Sequence, residues 1–263
     1  MMKVALTIAG TDSGGGAGIF ADLKTFEAHG VWGTAAVVAV TAQNTLGVQA
    51  VQTIAPETVR AQIEAVVEDI GVDAAKTGML ATAELVRAVA GLAPRPLVVD
   101  PVFVSKHGDT LLVDDAVEAL RLELIPRATV VTPNLPEAGA LIGAAVTDRA
   151  GMEHAARILL ALGPQVVMVK GGHLETDDAP DLVLAKHAEP LWLEAPRIVA
   201  RHTHGTGCVL SAAITAEIAR GMEPVDACIA AKQFVTRAIA AGLELGAGVG
   251  PVNPGWERHV LGT

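Results

Sequence analysis

Short apolar runs alternate along this chain with longer stretches of helical periodicity. The predicted strands are 4–9, 34–41, 48–54, 74–77, 97–100, 129–131 and 166–169, followed by a hairpin within 181–194. The predicted helices are 19–29, 56–70, 82–90, 117–124, 153–162, 208–220 and 224–245. Because strand and helix keep alternating, the pattern predicts an α/β fold with a mostly parallel sheet.

The sequence gives no sign of a domain boundary. Neither an internal repeat nor a low-complexity linker interrupts the alternation, so we expect residues 1–263 to form one domain. Hydrophobic residues make up 51% and charged residues 18%, which excludes disorder and favours a buried sheet covered by helices on both faces. The strand 48–54 differs, because it alternates apolar and polar residues as a half-exposed strand would.

The charge of the chain excludes one class of partner. Its formal net charge is −10, the wrong sign for an electrostatic grip on nucleic acid, so we expect no nucleic-acid partner. A polyanionic substrate would need local help from Mg²⁺, lysine or backbone amides.

The N-terminus and the cysteines indicate the cytoplasm. The two cysteines, Cys208 and Cys228, give no disulfide framework and suit a reducing compartment. The apolar run near the start ends at Gly10, too early for the core of a signal peptide. The longer apolar stretches are broken before the roughly 18 residues that span a bilayer, so no membrane association is expected.

A glycine-rich turn opens the apolar helix near the end of the chain, in the sequence RHTHGTGCVLSAA at 201–213. Gly205 and Gly207 let backbone N–H groups point at one place, and the helix dipole adds partial positive charge there, which suits phosphate. At this position we expect the Cys208 thiol to have a lowered pKa. The alternative is a tight loop with a small residue beside it.

A second glycine-rich loop, GTDSGGGAG at 10–18, carries Asp12 and Ser13 at the end of the first strand. A dinucleotide fingerprint does not fit, because its last glycine position falls on Ile19. A P-loop does not fit either, because no Gly-Lys-Ser/Thr follows at the required spacing. The sequence therefore disfavours a Rossmann dehydrogenase and a P-loop kinase.

Polar residues follow one predicted strand after another. Any one of them could be a helix cap or a turn residue, but the carboxyl ends of parallel strands share one edge of a sheet. We therefore expect them to form a single site. They are Asp12, Gln43, Lys76, Asp100, Asn134 with Glu137, Lys170 and the GTGC turn.

These motifs together resemble the ribokinase-like superfamily and, within it, the hydroxymethylpyrimidine and phosphomethylpyrimidine kinases of thiamine biosynthesis. The similarity covers essentially the whole chain and implies a three-layer α/β/α fold with a mostly parallel central sheet. The stretches that carry it are GTDSGGGAGIFADLKTFEAHG from Gly10, VTAQNTLGV from Val40, KTGML from Lys76, DPVFVSKHGDTLL from Asp100, TPNLPEA from Thr132, VKGGH from Val169 and THGTGC from Thr203.

For the phosphate end of the site, the resemblance implies ATP and Mg²⁺ as cofactors. It implies that Asn134 and Glu137 help hold Mg²⁺, that Asp100 is a metal or phosphate-site acid, and that Lys170 reaches the nucleotide phosphates. Glu137 could instead be an ordinary acid in the first turn of a helix. The backbone of Gly205, Thr206, Gly207 and Cys208 would form the anion hole for the transferred phosphoryl group.

For the acceptor end, the resemblance points to Gln43, whose amide offers one donor and one acceptor to the edge of an aminopyrimidine. Gly10 and Asp12 would line the same pocket. Met79 would be the apolar wall for the ring, although it could equally be a core methionine.

The resemblance also implies a difference from sugar kinases, which have an aspartate at the position of Cys208. We hypothesise that Cys208 tolerates two acceptors, the alcohol of hydroxymethylpyrimidine and the phosphate of its monophosphate. A phosphate acceptor is largely ionised at neutral pH, because its second pKa is about 6, and an aspartate would repel it.

Some positions depart from the family pattern. Gly14, Phe20, His107, His202 and Val209 stand where serine, glutamine, serine, asparagine and threonine are usual. Phe20 could narrow the acceptor pocket or pack on the core, and the last two changes bear on nucleotide contacts.

The expected activity is an ATP-dependent and Mg²⁺-dependent kinase that phosphorylates hydroxymethylpyrimidine and then its monophosphate. The closest alternative is a pyridoxal kinase of the same superfamily, and one from another class is a non-catalytic pyrimidine sensor. Strand 48–54 and the hairpin near Pro190 offer edges for a homodimer.

Overall fold

The computed structural model describes residues 1–102, 114–174 and 176–257. The end of the DPVFVSKHGDTLL motif, with the departure at His107, lies outside the described residues. The strands are β1 (Val4–Gly10), β2 (Trp32–Asn44), β3 (Gly47–Thr53), β4 (Ala74–Thr77), β5 (Leu97–Val99), β6 (Val130–Val131), β7 (Val166–Lys170), β8 (Asp181–Ala185) and β9 (Leu191–Leu193). The helices are α1 (Gly18–Ala28), α2 (Pro56–Ala65), α3 (Ala83–Leu92), α4 (Asp114–Ala119), α5 (Leu135–Ile142), α6 (Arg149–Ala161), α7 (Thr206–Ala219) and α8 (Pro224–Ala240).

The strands form one sheet in the order β3-β2-β1-β4-β5-β6-β7-β8-β9. Pairing is parallel from β2 through β1 to β7, and it is antiparallel where β3, β8 and β9 join at the two sides. The prediction of a mostly parallel sheet is confirmed. The carboxyl ends of the parallel strands therefore open on one edge, where ligands of such sheets bind.

Successive residues of the central strands face opposite layers of helices. Val98 packs with α1, α7 and α8, whereas its neighbour Val99 packs with α2 to α6. The same alternation holds for Val130 and Val131. Because each face of the sheet is buried, these strands are apolar throughout, as the composition indicated. The three-layer α/β/α expectation is confirmed.

Two strand predictions need correction. β2 was expected to end before Ala42, but it continues to Asn44 because Gln43 pairs with Val48 across the antiparallel ladder with β3. Residues 49–53 of β3 are exposed, so the strand is more open than the predicted half-exposed one. The first correction places Gln43 on a strand rather than in a loop.

Helix α5 was not predicted. It begins at a reciprocal cap in which the Asn134 side chain accepts from the Glu137 N–H and the Glu137 carboxylate accepts from the Asn134 N–H. Pro136 lies in its first turn, where the missing N–H costs nothing. The last helix, predicted to reach 245, ends at Ala240. Within the described residues, no helix is long and apolar enough to cross a membrane.

Candidate active site

A cavity of about 560 Å³ opens at the carboxyl ends of the parallel strands. Every residue that the sequence analysis assigned to the site lines it, so the expectation that they come together is met. They are Gly10, Asp12, Gln43, Lys76, Met79, Asp100, Asn134, Glu137, Lys170, Gly205, Thr206, Gly207 and Cys208.

The N-terminus of α7 forms one wall of the cavity. Gly205 precedes the helix at φ 80°, in the left-handed region, and a Cβ there would overlap the carbonyl oxygen of Gly16. At Gly207 an added Cβ would lie 3.4 Å from Lys170 Nζ and 3.7 Å from Asp100 Oδ2. The glycines therefore bring the positive end of the helix dipole directly against this ion pair.

Lys170 joins two carboxylates at this wall. Its ammonium lies 2.9 Å from Asp100 Oδ1 and 3.5 Å from Glu137 Oε2, and both acids are buried. Asp100 also accepts from the hydroxyls of Thr132 and Ser211, at 3.1 and 3.2 Å. Thr132 and Ser211 were not among the predicted site residues, and the fold brings both hydroxyls to Asp100.

The ionisation of this cluster follows from burial and pairing. Burial raises the pKa of Glu137 to about 7, because Lys170 only partly offsets the loss of water. For Asp100, burial is outweighed by Lys170 and Lys76 together, and its pKa is lowered. For Lys170, burial is outweighed by Asp100 and Glu137, and its pKa is raised. Lys170 and Asp100 are therefore charged at neutral pH.

Two contacts fix the backbone at Lys170. Its N–H donates to the Pro133 carbonyl at 2.8 Å, which sets the end of β7 beside the start of α5. The N–H of Gly171 donates to Asp181 Oδ1 at 2.8 Å, and Asp181 is paired with Lys232 of α8. The position of the Lys170 ammonium is thus held from both neighbouring elements.

A divalent cation fits the charge of this wall. Among the described residues, no group of three or more histidine, cysteine, aspartate or glutamate side chains could hold a metal alone. Once Glu137, with its pKa of about 7, has lost its proton, its carboxylate and that of Asp100 outnumber the one ammonium between them. Mg²⁺ is commonly held by one or two carboxylates together with substrate phosphates and water, so Asp100 and Glu137 match its donor set.

The expectation of a lowered pKa for Cys208 is wrong. The Gly18 N–H, at the start of α1, and the Lys76 ammonium both lie near the Cys208 thiol and favour its ionised form. Burial nevertheless raises the pKa of the thiol to about 12, because its accessible surface faces the cavity rather than bulk water. Cys208 is a neutral thiol at physiological pH.

A fully buried ion pair lies at the floor of the cavity, and the sequence analysis found only half of it. Lys76 Nζ donates to Asp22 Oδ1 at 2.7 Å, and Thr7 donates to the other oxygen of Asp22 at 2.6 Å. Burial alone would lower the pKa of Lys76, but Asp22, Cys208 and Asp100 together outweigh burial, so the pKa is raised. Burial raises the pKa of Asp22 in spite of Lys76. A lysine in the apolar strand sequence AAKT requires a buried counter-charge, which was the available signal.

The other end of the cavity offers the ligand mainly neutral groups, because the Asp12 carboxylate there is already bonded to backbone N–H groups and His204. The N–H of Gly10 donates to the Met79 carbonyl at 3.2 Å, and a Cβ on Gly10 would come within 2.6 Å of Met79 Cε. Gly10 therefore leaves room for the methionine side chain, whose half-buried surface faces the cavity.

Gln43 is held by its backbone rather than by its side chain. Ser13 Oγ donates to the Gln43 carbonyl at 2.6 Å and accepts from its N–H at 2.8 Å. The side-chain amide has only long contacts, 3.4 Å to Thr41 Oγ1 and 3.5 Å to His204 Nε2. Most of its hydrogen-bonding capacity therefore remains for a ligand.

Asp12 organises the glycine-rich loop. Its carboxylate accepts from the N–H groups of Gly14, Gly16 and Ala17, at 2.9, 3.1 and 2.8 Å, and from His204 Nε2 at 2.8 Å. Burial is outweighed by His204 and the backbone donors, which lowers the pKa of Asp12. The sequence analysis missed His204, which lies buried between Asp12 and Gln43.

The departures from the family pattern lie in different places. Phe20 is 41% exposed and is absent from the described lining of the cavity, so it neither narrows the pocket nor packs on the core. Val209 is fully buried against α1 and α8. His202 lines a separate cavity and accepts from the Gly250 N–H at 3.0 Å. The N–H of Gly14 donates to the Asp12 carboxylate.

Comparisons with known proteins agree on one family. A family model described as phosphomethylpyrimidine kinase matches residues 12–253. The chain is 53% identical over 256 residues to the hydroxymethylpyrimidine/phosphomethylpyrimidine kinase of Streptomyces coelicolor, which covers 96% of this chain and 94% of that protein.

Two solved structures resemble the fold along nearly its full length. One is an ADP complex of Bacillus subtilis pyridoxal kinase, with a TM-score of 0.90, 40% identity, and coverage of 98% of this chain and 99% of that one. The other is the Staphylococcus aureus pyridoxal kinase in complex with AMP-PCP and pyridoxal, with a TM-score of 0.90, 36% identity, and coverage of 99% and 96%.

Proposed function

The chain belongs to the phosphomethylpyrimidine kinase family, and from that premise we propose that it phosphorylates 4-amino-5-hydroxymethyl-2-methylpyrimidine and then its monophosphate. The observation that carries the proposal is the division of one cavity into two ends. Gln43, Met79 and Gly10 line a neutral end of a size and polarity suited to an aminopyrimidine, while Lys170 and the start of α7 line a charged end suited to phosphate. ATP is the phosphoryl donor, as the ADP and AMP-PCP complexes of similar folds support.

The chemistry at the charged end is electrostatic. The N–H groups of Thr206, Gly207 and Cys208 open α7 without intrahelical acceptors, and they would donate to the oxygens of the transferred phosphoryl group. The Lys170 ammonium would neutralise charge on the same group. Because phosphoryl transfer needs little covalent help from the protein, positioning and charge stabilisation carry most of the catalysis.

Asp100 and Glu137 are the proposed carboxylates for Mg²⁺. When bound, Mg²⁺ would neutralise the nucleotide phosphates at the charged end of the cavity. Asp100 is held in place by Lys170, Thr132 and Ser211, and Glu137 is held by its bond from the Asn134 N–H. Asn134 thus supports the site through the cap of α5 rather than as a carboxylate.

Cys208 is proposed to be a neutral neighbour of the acceptor rather than its base. A thiol with a pKa of about 12 brings no negative charge to the cavity, so an alcohol and an ionised phosphate can both be accommodated. In Cys208→Asp we expect phosphorylation of the monophosphate to fall at least about tenfold more than that of the alcohol, because like charges within a buried site repel. The measurement is the rate on each acceptor. Equal losses on the two acceptors would contradict the repulsion argument.

A pyridoxal kinase is the second candidate function. The observation in its favour is the TM-score of 0.90 to two proteins of that name. Against it stand the higher identity to the Streptomyces coelicolor enzyme and the family match over residues 12–253.

The experiment is to follow the purified protein with ATP, Mg²⁺ and hydroxymethylpyrimidine by phosphorus NMR. We expect a monophosphate resonance to appear first and a diphosphate to follow, and both should stop growing when EDTA is added. Hydrolysis of ATP without a phosphorylated pyrimidine would refute the proposal.

We also propose that the protein works as a homodimer in the cytoplasm. β3 is an edge of the sheet in the described residues, and it exposes Val51 and, in the preceding turn, Leu46. Sedimentation of the full chain gives its assembly state, and a single species of 26.9 kDa would contradict the dimer.

A further inference from the structure

The side-chain amide of Gln43 lies between two groups whose donor and acceptor roles are already fixed. We propose that His204 and Thr41 set which end of this amide faces which way, and that His204 is thereby a specificity-determining residue for the acceptor. The inference rests on the proposed function, because it concerns how the pyrimidine is recognised.

Asp12 fixes the role of His204. Three backbone N–H groups already donate to the Asp12 carboxylate, at 2.8 to 3.1 Å, so Asp12 acts as an acceptor. His204 Nε2 lies 2.8 Å from Asp12 Oδ2, and an ionised carboxylate has no hydrogen to give. Nε2 must therefore carry the proton, which it gives to Asp12. It keeps no lone pair to accept from Gln43, so only its positively polarised N–H faces that amide.

Thr11 fixes the role of Thr41 in the same way. Thr41 Oγ1 donates its single hydrogen to the Thr11 carbonyl at 2.9 Å, and its N–H donates to Thr11 Oγ1 at 3.1 Å. The contact from Thr41 Oγ1 to the Gln43 amide is longer, at 3.4 Å. Since the hydroxyl hydrogen is used on Thr11, Thr41 Oγ1 is left as an acceptor toward Gln43.

Only one orientation of the Gln43 amide satisfies both neighbours. The structure sets the amide nitrogen 3.5 Å from His204 Nε2, which brings two donors together. Turning the amide by 180° exchanges oxygen and nitrogen without changing its shape. The oxygen then faces the polarised N–H of His204 and the NH₂ group donates to Thr41, so both contacts become favourable.

This orientation leaves a fixed pattern toward the cavity. One N–H of Gln43 and one lone pair of its oxygen remain, and their order around the ring edge is set by His204 on one side and Thr41 on the other. A 4-aminopyrimidine presents a donor amino group beside an acceptor ring nitrogen. The 4-oxo analogue presents the reverse, a carbonyl acceptor beside a ring N–H, and would force Gln43 to turn its NH₂ toward the His204 N–H.

The test compares the two acceptors in the wild-type protein and in His204→Phe, which keeps a ring but removes the N–H. The readout is the ratio of kcat/KM for 5-hydroxymethyl-2-methylpyrimidine carrying the 4-amino group to that for its 4-oxo form. We expect the ratio to fall about tenfold in His204→Phe, because the N–H that disfavours the turned Gln43 amide is then absent. The change should lie in the acceptor KM, and the same substitution in a Gln43→Ala background should leave the ratio unchanged.

An unchanged ratio in His204→Phe, or an equal fall in the Gln43→Ala background, overturns the inference while leaving the proposed function intact. Absence of wild-type activity on both pyrimidines overturns the two together. Should His204→Phe fail to fold, nitrogen NMR of the wild-type protein decides the question. A proton on His204 Nε2 at pH 8 supports the inference, and an unprotonated Nε2 overturns it.

Discussion

The two ends of the cavity use different interactions to bind their ligands. At the phosphate end, Lys170 lies between the buried acids Asp100 and Glu137 against the start of α7. At the acceptor end, Gln43 and Met79 are uncharged, and the amide of Gln43 has only contacts of 3.4 Å or longer. Charge at the first end binds phosphate strongly but distinguishes little between phosphate-containing ligands. Directional hydrogen bonds at the second end bind the acceptor more weakly but select between acceptors. The comparison suggests that catalysis and substrate choice can be disturbed separately.

The largest effect is expected at Lys170. Lys170→Met leaves Asp100 and Glu137 buried without their cation and removes the ammonium from the transferred phosphoryl group. We expect kcat to fall by about 10³-fold, with both acceptors affected alike, because the interaction belongs to the phosphate end. Steady-state kinetics with each acceptor measures this.

Two further variants control the Lys170 experiment. Lys186→Met removes an exposed lysine that donates to the Gly163 carbonyl and should leave kcat unchanged. Lys170→Arg keeps the cation and separates loss of folding from loss of function. A fall in kcat for only one of the two acceptors would contradict the assignment of Lys170 to the phosphate end alone.

The next largest effect concerns stability at the floor of the cavity. Lys76→Met leaves the fully buried Asp22 without its cation and should lower the free energy of unfolding by about 3–5 kcal/mol. Removing both charges in Lys76→Met/Asp22→Leu should cost less than the single change, because no uncompensated charge remains. Denaturant unfolding of the three proteins checks the order, and a double variant less stable than Lys76→Met would contradict it.

A smaller and more selective effect is expected at Gln43. Gln43→Ala removes the amide that faces the pyrimidine edge, so the KM for hydroxymethylpyrimidine should rise about 10-fold to 100-fold. The KM for ATP should stay within about twofold, because the phosphate end is untouched. Gln165→Ala, at an exposed glutamine, is the matched control. A comparable rise in the KM for ATP would show that the two ends are not independent.

The last prediction concerns the reactivity of Cys208 rather than catalysis, and its readout is a pH profile. Since burial raises the pKa of Cys208 to about 12, its reactive thiolate forms only as the pH rises toward that value. Alkylation of Cys208 by iodoacetamide should accelerate about tenfold per pH unit from pH 7 to 10, without a plateau. Cys208→Ser reports the background from Cys228, whose pKa burial also raises to about 12. A plateau below pH 9 would mean that the helix dipole prevails over burial.

The fold was largely predictable because apolar runs alternate with helical periodicity. The errors arose where tertiary pairing overrode local signals. Ala42, Gln43 and Asn44 have the composition of a turn, yet pairing with β3 keeps them in β2. Helix α5 escaped notice because Pro136 and Gly139 look like helix breakers, although proline is tolerated in a first turn.

Site residues at the carboxyl ends of parallel strands could be predicted from sequence more readily than those on helices and loops. Asp100 and Lys170 were found because polar residues follow successive strands, and the carboxyl ends of parallel strands share one edge of the sheet. Asp22 was missed because an acid on a helix usually faces water. His204 was missed because a histidine in a glycine-rich loop carries no periodic signal. The pKa of Cys208 was misjudged because burial cannot be read from a helix N-terminus alone.

The most direct test of the central claim is the ratio of kcat/KM for hydroxymethylpyrimidine to that for pyridoxal, measured with one preparation at saturating ATP and Mg²⁺. A neutral end shaped by Gln43 for an aminopyrimidine predicts that the pyrimidine is preferred by about tenfold or more. Equal efficiency, or a preference for pyridoxal, would contradict the account.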